Sequence, residues 1–223
     1  GDCQAAGERE WPCGDPVGDA LSGAVWHPEA AMATLTEATT FPHWTVDLVQ
    51  MMPRVEGERY EIIDGELYVT TQPHFRHQAT GDNIIVELGI WSRRTGLGRT
   101  FQAPGVVFAE DNAVAPDIVW LSKERMPQVL GPDGKLHDAP DLVIEILSPG
   151  KANEERDRDK KLALYSRQGV PEYWIVDWRA ETVEIYRRQE AQLQLDQTLK
   201  SGDQITSPLL PGFVFRAHRC SSG

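Results

Sequence analysis

The stretch PDLVIEILS (residues 140–148) decides the fold. Its apolar residues Leu142, Val143, Ile144, Ile146 and Leu147 are bounded by Pro140 and by Ser148, Pro149 and Gly150. That is the pattern of a short strand covered on both faces. Glu145 stands in the middle of it. An ionised carboxylate without a partner in such a place is strongly unfavourable, so it is paired, protonated or bound to a metal. APDIVWLS (115–122) repeats the pattern, with Asp117 at its start. Two such acids on successive strands, followed by a lysine-bearing helix, look like a divalent-metal site.

Working outward, the chain reads as an α/β protein built on a mixed sheet with few helices. WTVDLVQMMP (44–53) suits a short helix, and RYEIIDGELYVT (59–70) two alternating strands joined at Asp64-Gly65, a strong hairpin signal. Residues 74–94 place Ile84, Ile85, Leu88 and Trp91 at amphipathic-helix spacing. TFQAPGVVFA (100–109) reads as one strand and GPDGKLHDAP (131–140) as a surface loop. Residues 153–167 read as a helix capped by Gly169. EYWIVDW (172–178), TVEIYRR (182–188) and a weaker pattern over 193–199 supply the remaining strands, LLPGFVF (209–215) closes the chain, and Trp91, Trp120, Tyr173 and Trp174 belong to the core.

A chain of 223 residues buries one substantial core. The expected organisation is a loosely ordered extension over 1–50, a domain over 51–216 and a tail over 217–223. No apolar run approaches the ~20 residues that span a bilayer, and the start lacks the pattern of a signal peptide. A soluble, cytoplasmic protein is expected. Cys3, Cys13 and Cys220 lie near the ends and make a poor zinc site. The net charge is −12. Residues 1–50 hold eight acids against Arg9, and residues 51–223 hold 26 acids against 21 bases, so the domain itself is only mildly acidic, at −5. No Lys/Arg cluster marks a DNA groove, which weighs against a nucleic-acid partner.

Glu154, Asp157, Lys161 and Tyr165 recur at three- and four-residue steps and share one helix face. If that face looks at the sheet, a lysine approaches both acids. Two hard oxygen ligands with open positions suit Mg²⁺ or Mn²⁺. Structural alternatives stand beside this reading. Asp117 can bond a turn after Pro116, Glu145 can pair with an arginine, and Lys160 or Lys161 can sit on a solvated charged face. Spacing does not choose between the two lysines.

Taken together, RYEIIDGELYVT, His77 near a helix start, APDIVWLS, APDLVIEILSP, DRDKKLALYSRQGVPEYWIVD and LLPGF resemble the Uma-two family, described as putative restriction endonucleases, of the PD-(D/E)XK nuclease superfamily. The resemblance runs from about Arg54 to Phe215. It implies a restriction-endonuclease-like core, a central mixed β-sheet flanked by helices, with Asp117 and Glu145 as metal-holding acids. The superfamily lysine usually follows the second acid by two residues, where this chain has Leu147. The family supplies it instead from the next helix, four residues before a tyrosine, which selects Lys161 ahead of Tyr165. Glu66 and His77 match further family positions, as an additional metal-shell acid and a contact for phosphate or water. The implied activity is Mg²⁺-dependent (or Mn²⁺-dependent) endonucleolytic cleavage of nucleic acid, DNA first, with a homodimer suited to double-strand cutting. The alternatives are a degenerate module that binds DNA or a protein partner without cleaving, and a hydrolase of another phosphate ester.

Overall fold

The computed structural model describes residues 42–216; the readings for residues 1–41, for the three cysteines and for the C-terminal tail lie outside them. Six strands form the main sheet, in the order β10 (Gln192–Lys200), β9 (Thr182–Gln189), β8 (Glu172–Asp177), β7 (Leu142–Ile146), β6 (Ile118–Ser122) and β3 (Gly98–Gln102). Only β7 and β8 run parallel. Their crossover is helical: α4 (Lys151–Glu155), a π-helical stretch (Arg156–Lys161) and α5 (Leu162–Arg167). Gly169, at φ +86°, ends it, and the Val170 amide donates to the Tyr165 carbonyl at 3.1 Å.

A second sheet has the order β2 (Glu66–Thr70), β1 (Arg59–Ile63), β5 (Asn112–Val114), β4 (Val106–Ala109). The predicted hairpin is there. Asp64 and Gly65 both adopt positive φ, 51° and 75°, as a tight two-residue turn between right-twisted strands requires. TFQAPGVVFA, expected as one strand, is split between the sheets. Ala103 turns left-handed (φ 46°) and Pro104 offers no N–H, so the ladder stops at Gln102 and resumes at Val106 in the other sheet. The elements are completed by α1 (Val46–Met51), α2 (Phe75–Thr95), α3 (Met126–Val129) and a small pair, β11 (Gln204–Ile205) and β12 (Phe215–Arg216).

The core has two halves, one on each face of the main sheet. Leu142, Ile144 and Ile146 of β7 pack with Ile84, Leu88 and Trp91 of α2. Val143 and Leu147 pack with Leu164, Tyr165 and Tyr173. Alternation therefore sends Glu145 to the second face, among side chains that exclude water.

Gly98 fixes how closely β3 approaches β6. A Cβ there would lie 2.4 Å from the Trp120 ring and 2.5 Å from the Leu121 carbonyl oxygen. That ring is held by its hydrogen bond to Ser92 Oγ at 3.0 Å. Gly98→Ala is therefore expected to lower stability by roughly 1–3 kcal/mol, from overpacking. Gly89 in α2 has open space around it, and Gly89→Ala is expected to raise stability by ~0.5–1 kcal/mol. Urea midpoints moving in opposite directions check the pair.

Candidate active site

Strands β6 and β7 are antiparallel, with Ile118 opposite Ile144. One step further along that register, Asp117 stands opposite Glu145. Both belong to the face of Val119, Leu121, Val143 and Leu147. Like charges directly across a sheet repel, and the surrounding groups compensate. Asp117 Oδ2 accepts the Ile146 N–H at 2.9 Å and lies 3.2 Å from His77 Nε2. Arg59 approaches its other oxygen at 3.6 Å. Glu145 Oε1 accepts from Lys161 Nζ at 2.9 Å and from the Tyr165 hydroxyl at 2.8 Å.

Lys161 gathers more than one acid. Its ammonium is 3.0 Å from Glu61 Oε1 and 3.6 Å from Asp157 Oδ1. Glu61, Glu145, Asp157 and Lys161 are each 2 % exposed or less. Glu61 also accepts the Ala115 N–H at 2.8 Å, and Arg156 Nε lies 3.2 Å from Asp157. The π-helical stretch makes this possible, because its wider turn directs Asp157 and Lys161 inward together; such turns recur at functional sites. The Tyr173 hydroxyl steadies it by donating to the Asp157 carbonyl at 2.9 Å. The expected four-residue face holds for Asp157, Lys161 and Tyr165 but not for Glu154, which pairs with Arg179 at 2.7 Å on the outside.

The charges do not balance. Four acids, Glu61, Asp117, Glu145 and Asp157, surround two buried cations, Lys161 and Arg156. Arg59 stands at the rim with its side chain 40 % exposed. Burial pushes the Glu145 carboxyl up to about 8, against the pull of Lys161 and helped by Asp117, Asp157 and Glu61. Burial also raises Asp157, opposed by Lys161 and Arg156. Lys161 is held above its ordinary range: burial lowers it, but Glu145, Glu61 and Asp157 outweigh that. Asp117 stays below the usual range because His77, the Ile146 amide and Lys161 together overcome its burial. A buried cluster with surplus negative charge keeps its ammonium and seeks another cation or a proton.

Asp117 and Glu145 line one cleft of about 400 Å³ with Glu61, His77, Arg59 and Asp157. Among the described residues no three His, Cys, Asp or Glu side chains form a cage by themselves. The donor set nevertheless fits Mg²⁺, which takes one or two carboxylates and completes its shell with water and phosphate. Both bonds to Glu145 fall on Oε1, so Oε2 is left to the cleft.

The residues singled out from sequence separate here. Asp117, Glu145, Lys161 and His77 come together. His77 is buried with Nε2 on Asp117, and its Nδ1 has no partner among the described residues. Glu66 does not join them. It lies on the exposed hairpin, bonded to Lys160 Nζ at 3.1 Å and to the Tyr68 hydroxyl. The glutamate inside is Glu61, which the sequence reading missed. Its signal was an acid in the apolar run YEII, of the same kind as VIEI around Glu145.

A family model matches residues 46–218: Uma2, described as "Putative restriction endonuclease". The chain belongs to this family. No curated protein matches it. A solved structure similar to it is a "putative nuclease belonging to DUF820" from Anabaena variabilis ATCC 29413, at 21 % identity and a TM-score of 0.63, covering 79 % of this chain and 97 % of that one. At that identity the likeness shows the shared fold. The mixed sheet flanked by helices is thus the restriction-endonuclease-like architecture, and Uma2 membership places the chain in a nuclease family. No helix among the described residues is long and apolar enough to cross a membrane.

Removing one member of a buried ion cluster leaves the others uncompensated. Lys161→Met leaves Glu61, Glu145 and Asp157 with Arg156 as the nearest buried cation. It is expected to lower stability by roughly 3–5 kcal/mol, whereas Lys160→Met changes it by less than about 1 kcal/mol. Denaturant titrations of the two variants check this contrast.

Proposed function

We propose that this Uma2 protein is a Mg²⁺- or Mn²⁺-dependent endonuclease that hydrolyses phosphodiester bonds of nucleic acid, with DNA as the first substrate to test. The observation that carries the reading is the opposition of Asp117 and Glu145 across β6 and β7, at the floor of a cleft with unbalanced negative charge. These two residues would hold the ion. When bound, it offsets charge on the phosphate and makes a water more acidic.

The chain's own groups have separate tasks. Lys161 fixes one Glu145 oxygen and, enclosed by Glu61, Glu145 and Asp157, stays an ammonium that would keep these acids together beneath the ion. Tyr165 donates to that same oxygen, so the Glu145 rotamer is held from two sides. His77 orients Asp117 in the manner of an outer-shell partner. Arg59, half-exposed at the rim beside Asp117, would meet a phosphate of the incoming strand. A two-fold dimer would present two clefts to a duplex.

Two observations favour a second reading, a nuclease-fold module that binds without cleaving: Leu147 stands where the superfamily usually has lysine, and residues 51–223 carry a charge of −5. Nicking of supercoiled plasmid with Mg²⁺ or Mn²⁺ separates the two. The expected result is nicking by the native chain that falls to background in both Asp117→Ala and Glu145→Ala. Calorimetry should also show His77→Ala binding the ion about 10–100-fold more weakly. A native chain that takes up neither ion, or variants that still nick, would contradict the proposal.

A further inference from the structure

An aromatic and cationic cluster stands at the start of α2, between Pro73 and His77, which line the same cleft. His74 caps α2, its Nδ1 accepting the Arg76 N–H at 3.1 Å. The His74 ring stacks on Trp178, with centroids 5.3 Å apart and planes 10° from parallel, and leans on Phe75 at 4.7 Å. Trp178 is anchored by donating from Nε1 to the Leu147 carbonyl at 3.1 Å. At the outer end Phe75 is 65 % exposed. The Arg76 guanidinium lies 5.9 Å from the Trp178 ring and 6.0 Å from the Phe75 ring, and Arg179 lies 6.0 Å from Trp178.

Packing explains His74 and Trp178 but not Phe75. A large ring two-thirds in water adds little to the core, and a polar residue would serve as well at the first position of a helix. The arginines differ in the same sense. Arg179 is neutralised by Glu154 and Asp177, whereas Arg76 is exposed and has no acid partner among the described residues. An exposed ring continuing a stack, beside a guanidinium that lies against the rings and is paired with no acid among the described residues, complements a nucleotide: a flat base and a phosphate. The place fits too. Pro73 and His77, which flank residues 74–76 in sequence, line the cleft that holds Asp117 and Glu145, as does Ser148, next to the Leu147 carbonyl that anchors Trp178.

We propose that Phe75 and Arg76, backed by His74 and Trp178, form a docking platform for an unpaired nucleobase, so that single-stranded or splayed nucleic acid is the preferred substrate class. In a closed duplex the base faces are already stacked and unavailable to Phe75. The proposal deepens the nuclease reading and rests on it for the identity of the ligand, but it concerns binding and is tested without cleavage.

The test is fluorescence anisotropy of the full chain in EDTA, with a labelled single-stranded DNA oligomer, its RNA counterpart and the same DNA as a blunt duplex. The native chain is expected to bind one or both single strands more tightly than the duplex. Phe75→Ala should weaken single-strand binding about tenfold, with Phe75→Tyr restoring it, at an unchanged melting temperature. Arg76→Gln should reduce the salt dependence by about one phosphate contact. Equal binding by native and Phe75→Ala chains, preference for the duplex, or no binding of any oligomer overturns the platform. Phe75-dependent binding without nicking by the native chain would leave the platform standing and remove the nuclease. Nicking lost in Asp117→Ala but binding indifferent to Phe75 would do the reverse.

Discussion

The ammonium of Lys161, enclosed within 3.6 Å of three buried acids, is the constraint on which the rest of the site depends. It draws together elements that otherwise belong to different layers: β1 through Glu61, β7 through Glu145, and the π-helical stretch through Asp157. Without a positive charge at that point, Glu61, Glu145 and Asp157 would crowd together uncompensated in surroundings that admit almost no water. The packing around it serves the same end. Tyr165 bonds Glu145, and Tyr173 bonds the backbone of the π-helical stretch. The site is therefore held by the second half of the core, not by mobile loops.

That one ammonium and Arg156 do not neutralise four carboxylates is the feature with functional content. A cluster selected for stability alone would tend toward balance, since replacing buried ion pairs with apolar residues is often neutral or stabilising. Here the imbalance faces a cleft, on the side of Asp117 and of the free Glu145 oxygen. Folding costs of this kind persist where a site needs them. A divalent cation brought with a phosphate would discharge the surplus, while His77 and the Ile146 amide already hold Asp117 in place.

Much of this was legible in the sequence because burying a charge is so unfavourable that an acid inside an apolar run announces itself. Glu145 and Asp117 were found that way. Their placement on one face needed the antiparallel register, which no local pattern encodes. Glu61 carried the same signal but sits in a hairpin strand that alternates, and an acid there reads as solvent-facing. Only the packing of the second sheet against the first buries it. Glu66 stays outside for the complementary reason: it follows the turn, where the hairpin is exposed. DRDKK (157–161) reads as a charged surface, and local propensity gives no hint of its π-helical geometry, which turns Lys161 inward and Lys160 outward. Likewise TFQAPGVVFA gave no sign that its two halves would join different sheets.

The most direct measurement is a crystal structure of the native chain soaked in Mn²⁺, with data collected for its anomalous signal. The account predicts a single strong peak in the cleft at coordination distance, ~2.1 Å, from a carboxylate oxygen of Asp117 and one of Glu145, with Lys161 still on the opposite Glu145 oxygen. A cleft without such a peak, or Mn²⁺ seated elsewhere while Asp117 and Glu145 keep only their protein partners, would contradict it.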